Sequence, residues 1–137
     1  MVQTYNGHCR CGGVSIESTG KPYFSGYCHC DDCRRSNGAP VVSFAGFKTD
    51  KIDWKKQDTL AHWQNGNFKR HFCKSCGSPI AYTDAVLPDV VFFYAGFMEN
   101  PESFPPDHHS YNSEKISWLK LADDLPKFEQ TSYPRPQ

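Results

Sequence analysis

The sequence predicts a mainly β protein with one short helix, and three observations carry that prediction. Ten Phe and seven Tyr, together with β-branched residues, fall in short runs that alternate apolar and polar side chains. Ten Gly and ten Pro punctuate those runs. Only after Cys28 does the spacing change from the period of a strand to that of a helix. By length the 137 residues form one domain, 1–137, and the prolines at 101, 105, 106, 126, 134 and 136 mark an irregular C-terminal wrap over about 100–137. Lys plus Arg equals Asp plus Glu at 15 each, so no basic field argues for nucleic acid. The longest apolar run, Val90 to Phe97, is too short to span a bilayer, and no membrane partner is expected.

Taken in order, Gly7-His8-Cys9-Arg10-Cys11-Gly12-Gly13 opens the domain. In an extended segment Cys9 and Cys11 point to one face, about 6.6 Å apart at Cα. The flanking glycines let the backbone fold tightly enough for both sulfurs to reach one ion. Val14-Ser15-Ile16-Glu17 alternates as a half-buried strand does, and Thr19-Gly20-Lys21-Pro22 turns it. A second strand, Tyr23 to Cys28, runs into Cys28-His29-Cys30-Asp31-Asp32-Cys33. There Cys28 and Cys30 share a strand face while Cys30 and Cys33 share a helical turn, so a strand-to-helix junction converges all three. Asp31 is the expected N-cap and Gly38 the C-terminal stop of a helix over Asp32 to Asn37 that carries Arg34 and Arg35. The helix dipole and these arginines favour a thiolate at its start.

From Pro40 onward the chain reads as strands, Val41 to Phe47, Ile52 to Trp54 and Leu60 to Gln64, with His62 and Trp63 expected in the packing. Asn65-Gly66 is a hairpin signal that returns the chain through Phe68 to Phe72 onto Cys73-Lys74-Ser75-Cys76-Gly77. In the tail, Trp118 and Phe128 are expected to anchor against the sheet.

Seven cysteines in three tight clusters form a metal-ligand pattern, since an odd count does not suit a secreted disulfide framework. Met1 to Tyr5 opens no signal sequence, and a cytoplasmic location is expected. Cys73-x-x-Cys76-Gly77 has the form of a zinc knuckle; paired with Cys9 and Cys11 it closes a four-thiolate structural site that staples the N-terminal loop to the mid-chain hairpin. Lys69, Arg70 and Lys74 are near enough in sequence to balance its charge. Cys28, Cys30 and Cys33 then remain one ligand short. Structural zinc takes four protein ligands, whereas catalytic zinc keeps three and leaves one position free. An imidazole from His8, His29, His71, His108 or His109 would close the trio; without one it stays open. His29 projects away from its neighbours and is expected to be hydrogen-bonded in the scaffold.

The order of these motifs, including Cys28-His29-Cys30-Asp31-Asp32-Cys33-Arg34-Arg35 and His71-Phe72-Cys73-Lys74-Ser75-Cys76-Gly77, resembles the glutathione-dependent formaldehyde-activating enzyme family, which includes the centromere protein V-like domain. The likeness covers nearly the whole chain and reaches Phe104-Pro105-Pro106, His108-His109-Ser110, Ser117-Trp118-Leu119 and Asp124-Leu125-Pro126. It implies a β-tent-like fold of short antiparallel sheets holding two zinc ions per chain. The structural ion falls on Cys9, Cys11, Cys73 and Cys76, the catalytic one on Cys28, Cys30 and Cys33. It further implies a carbon–sulfur lyase akin to S-(hydroxymethyl)glutathione synthase, in which a thiol such as glutathione is held at the open zinc position and added to formaldehyde or a similar small carbonyl. Asp31, Ser36 or a bound water would supply the proton, and Arg34 and Arg35 would meet a substrate carboxylate. The alternative is a non-enzymatic zinc module for a protein or nucleic-acid partner, which the lack of a basic flanking stretch disfavours. Oligomeric state is not legible in the sequence.

Overall fold

The computed structural model describes residues 3–133, so Pro134 and Pro136 of the expected wrap lie outside the described residues. Strands β1 (Thr4–His8), β2 (Val14–Thr19) and β5 (Ile52–Gln57) form a three-stranded sheet in the order β1-β2-β5. The other strands are β3 (Phe24–Cys28), β4 (Val42–Lys48), β6 (Leu60–Asn65), β7 (Phe68–Cys73), β8 (Pro79–Asp84), β9 (Val90–Tyr94) and β10 (His109–Ser110). They make a seven-stranded sheet in the order β10-β3-β4-β9-β8-β7-β6. Pairing is antiparallel throughout except for β10, which lies parallel to β3. The mainly β expectation holds, with one short helix, α1 (Asp31–Asn37), directly after the cysteine trio.

The strand period of two divides the residues of the large sheet between two jobs. Val91 and Phe93 of β9 pack with Ala45 and Phe47 of β4 and with Val14 and Ile16 of β2, so the core lies between the sheets. Burying rings such as Phe47 and Phe93 stabilises the fold by roughly 2–3 kcal/mol each. Phe92 and Tyr94, the alternate residues of β9, line a cavity instead.

β1 is almost wholly polar and shows no strand alternation, yet it pairs with β2 from Thr4↔Thr19 to His8↔Ser15. Gly7 makes this possible, because a Cβ there would stand 2.7 Å from the Phe97 ring. β6 corrects the packing expected of His62 and Trp63: among the described residues it is the last strand of the sheet, paired only with β7, and Trp63 is 54% exposed.

Cys30, not Asp31, caps α1: its backbone is extended (φ −66°, ψ 150°) and its sulfur accepts from the Cys33 N–H at 3.3 Å. Asp31 is already inside the helix, and its carboxylate turns to Arg35 at 2.8 Å. Gly38 ends the helix in the left-handed conformation at φ 61°.

The tail wraps the sheet through backbone bonds. His109 N–H donates to the Pro126 carbonyl, Phe128 N–H to the His109 carbonyl and Asn112 N–H to the Phe128 carbonyl, all at 2.8–2.9 Å. Phe104 enters the core, and Phe128 sits edge-on to His108. Trp118 does not anchor; it is 69% exposed. Among the described residues no helix is long and apolar enough to cross a membrane.

Candidate metal centres and the adjoining cavity

Two turns build the four-cysteine cluster. The turn after β1 carries Cys9 and Cys11, and the turn after β7 carries Cys73 and Cys76. Cys9 Sγ and Cys11 Sγ are 3.7 Å apart, and Cys11 Sγ and Cys73 Sγ 3.6 Å. Tetrahedral zinc with Zn–S bonds of about 2.3 Å sets its sulfurs about 3.8 Å apart, so the donor set fits that ion. Backbone N–H groups point at the sulfurs, Val14 to Cys9 at 3.3 Å and Cys76 to Cys73 at 3.4 Å. Such donors favour thiolates, and the Ser78 hydroxyl and backbone N–H draw Cys76 down to about 5. Gly77, at φ 74°, makes the tight turn that the knuckle predicted.

The second cluster joins Cys28 at the end of β3, Cys30 at the helix cap and Cys33 in the first turn of α1, their sulfurs all within 4.8 Å of one another. Among the described residues no imidazole or carboxylate joins this group. Hydrogen bonds from Cys28 and Cys30 hold Cys33 well below the usual thiol range against its burial, and Arg70 adds to the effect. Three convergent, half- to fully buried sulfurs, one already favoured as an anion, suit a soft divalent cation with one position left over.

Arg70 is the residue that sequence reasoning placed at the wrong cluster. It lies on β7 only three residues from Cys73, but its guanidinium crosses to the trio, donating to Cys33 Sγ at 3.4 Å and to the Tyr94 hydroxyl at 2.9 Å. It also pairs with the Asp32 carboxylate, and its Cζ lies over the Tyr82 ring, 4.7 Å from the ring centre. Burial opposes its charge, but Cys33 and Tyr94 outweigh that and push its pKa up.

His29 is fully buried and occupies the scaffold role expected of it. Its Nε2 lies 2.8 Å from His109 Nδ1, and His109 Nε2 lies 3.0 Å from Asp123 Oδ1. The carboxylate must accept, so His109 donates through Nε2 and receives the His29 N–H on Nδ1. Burial and the neighbouring His109 lower His29 to about 4 and keep it neutral. Of the other imidazoles, His8 bonds the Cys9 carbonyl, His71 the Thr83 hydroxyl, and His108 the Asp107 carboxylate. A link spanning 80 residues had no local sequence signal beyond the His108-His109 pair.

A cavity of about 710 Å³ opens beside the trio. Asp31 lies on its wall, and Arg35 holds the Asp31 carboxyl below the usual carboxylate range. Ser36 is not on this lining and donates to the Asp32 carbonyl at 2.8 Å. Arg34 donates to the carbonyls of His29 and Glu114 at 2.6 and 2.5 Å, and Arg35, with 79% of its side chain exposed, is not on this lining but on that of a neighbouring pocket beyond Asp32 and Arg70.

Fold and site together define a mainly β protein with two cysteine clusters able to hold metal ions. The chain belongs to the glutathione-dependent formaldehyde-activating enzyme family, whose profile matches residues 4–114. A Halomonas elongata protein named "Putative glutathione-dependent formaldehyde-activating enzyme" is 23% identical over 124 residues, covering 84% of this chain and 79% of the relative. A crystal structure of a Rhodobacter sphaeroides protein shares the fold with a TM-score of 0.57 at 23% identity, over 69% of this chain and 87% of that one.

Proposed function

We propose that the protein is a zinc-dependent carbon–sulfur lyase, which adds a thiol, glutathione in the family's description, to formaldehyde or a similar small carbonyl. The observation that carries this reading is the asymmetry of the two clusters: four sulfurs close one, while three sulfurs at the wall of a large cavity leave the other a position short. Cys9, Cys11, Cys73 and Cys76 would hold the structural ion; Cys28, Cys30 and Cys33 would hold the catalytic one. Zinc bound there supplies Lewis acidity and favours a bound thiol as thiolate at neutral pH.

The chain's own residues then orient and compensate. Arg70 sets its charge against the thiolates and, through Tyr94 and Asp32, fixes the face of α1 that carries Cys33. Cys30, by capping the helix, ties the ligand geometry to the start of α1. In the addition a sulfur–carbon bond forms, the carbonyl π bond becomes a C–O single bond, and the thiol proton ends on that oxygen, with no change of oxidation state overall. Asp31, a residue of the cavity lining whose carboxylate pairs with Arg35, would pass that proton, directly or through water. Ser36 and Arg34 are engaged with backbone carbonyls and are assigned no part.

The test compares Cys30→Ser with Cys76→Ser. Thiol-dependent formaldehyde consumption, corrected for the spontaneous reaction, should vanish in Cys30→Ser while its melting transition persists; Cys76→Ser should lose the fold. Equal rates with and without wild-type protein across a thiol panel would reject the activity.

A further inference from the structure

We propose that the thiol this site takes is an uncharged aromatic one in preference to glutathione, an inference that rests on the thiol-addition reading above. The cavity wall is one face of the seven-stranded sheet. Cross-strand register sets Trp63 opposite Arg70, Arg70 opposite Tyr82, and Tyr82 opposite Phe92. Paired residues share a face, so these side chains form a continuous row across β6, β7, β8 and β9. Phe44 extends it on β4, edge-on to Phe92 with ring centres 5.8 Å apart. Phe68 stacks on Tyr82 at 5.6 Å. The row runs from the trio to the outer strand; Arg70 lies over Tyr82 and Tyr133 stacks on Phe92 at 5.8 Å, and together these side chains line a volume that holds a ligand well beyond the size of formaldehyde.

Charge points the same way. Glutathione carries two carboxylates, and sites built for carboxylates present arginine forks to them. Among the described residues the lining holds three carboxylates, Asp31, Asp32 and Glu114, against one guanidinium, Arg70. That guanidinium is committed to Cys33, Tyr94 and Asp32, is covered by the Tyr82 ring, and is 9% exposed. Arg34 is spent on backbone carbonyls and Arg35 lies off the lining. The two carboxylates of glutathione, only one of them offset by its ammonium, would therefore meet like charge with no free fork on this lining, while a benzyl-like group would displace water from rings on its way to the trio.

Isothermal titration calorimetry on the zinc-loaded full chain tests this with benzyl mercaptan, glutathione and benzyl alcohol. Benzyl mercaptan should bind at least about tenfold more tightly than glutathione, the lower end of what one apolar group contributes in a fitted pocket. Glutathione binding as tightly or more tightly overturns the proposal and leaves thiol addition standing. Benzyl alcohol binding as tightly as its thiol overturns the thiol reading and the proposal with it. Two variants at sites that do not hold the core keep the result interpretable, with melting curves to verify the fold. Trp63→Ala should weaken benzyl mercaptan severalfold and spare glutathione; no change for benzyl mercaptan counts against the aromatic row. Glu114→Gln keeps an acceptor for the Asp31 N–H but removes a charge, and should narrow the gap between the two thiols. A gap that stays constant counts against the charge argument.

Discussion

Replacing Arg70 with methionine is the sharpest probe of the second cluster, because the methionine fills much of the same space and removes only the guanidinium. Four interactions are lost, the cation–π contact with the Tyr82 ring among them. The pair with Asp32 counts for little, since that carboxylate is 61% exposed and water solvates it when freed. The bond to the Tyr94 hydroxyl, 2.9 Å long and buried, and the bond to the Cys33 sulfur at 3.4 Å are the costly ones. A hydrogen bond to a charged partner is worth about 1.5–3 kcal/mol, and the sulfur anion left without its cation shifts back toward the neutral thiol. The expected destabilisation is about 2–4 kcal/mol, or a fall of roughly 6–12 °C in Tm for a chain of this size. Zinc affinity at the trio should also drop about 10–100-fold, as when a partner that orients a ligand is removed. Calorimetry gives the first number and competition with a chromogenic chelator the second. Arg70→Lys, which keeps charge but not the fork, should fall between. If Arg70→Met matched the wild type in Tm and the four-cysteine site lost affinity instead, the placement of this charge at the trio would be refuted.

Gly26→Ala should cost about 1–3 kcal/mol by thermal melting, because the new Cβ would stand 2.4 Å from His108 Cε1 and that ring is held by Asp107 and Ser132. Asp123→Asn should flatten the acid side of the stability profile. His109 holds the Asp123 carboxyl below its ordinary range, so its contribution is present above about pH 4 and is lost as pH falls through the folded value. Tm measured between pH 2 and about 6 should fall less steeply in the variant. Trp118→Ser should change Tm by no more than a degree or two, consistent with an exposed side chain worth under about 0.5 kcal/mol.

The two cysteine groups were legible in the sequence because ligand spacing is local. Cys28-x-Cys30-x-x-Cys33 converges through a strand end and one helical turn, and neither depends on distant residues. The pairing of Cys9 and Cys11 with Cys73 and Cys76 was reached by counting, and β7 delivers it. What escaped depends on which strand lies beside which. Arg70 is 37 residues from Cys33, and only the order β4-β9-β8-β7 brings its side chain back to the trio. Asp123 gave no hint of meeting a histidine beside that trio. β1 was hidden for a different reason: its polar residues carry no alternation, and a neighbour imposes the strand. Asp31 looked like the cap because its residue type is a common one there, whereas the sulfur of Cys30 took the position.

The alternation along β9 has an evolutionary consequence. Val91 and Phe93 secure the core, while Phe92 and Tyr94, one step away on the same strand, shape the chamber where a reactant would lie. Exchanges at Phe92 re-cut that chamber while leaving the core between the sheets and the four-cysteine cluster untouched. Lineages sharing this architecture can thus drift from one reactant to another without passing through an unfolded ancestor.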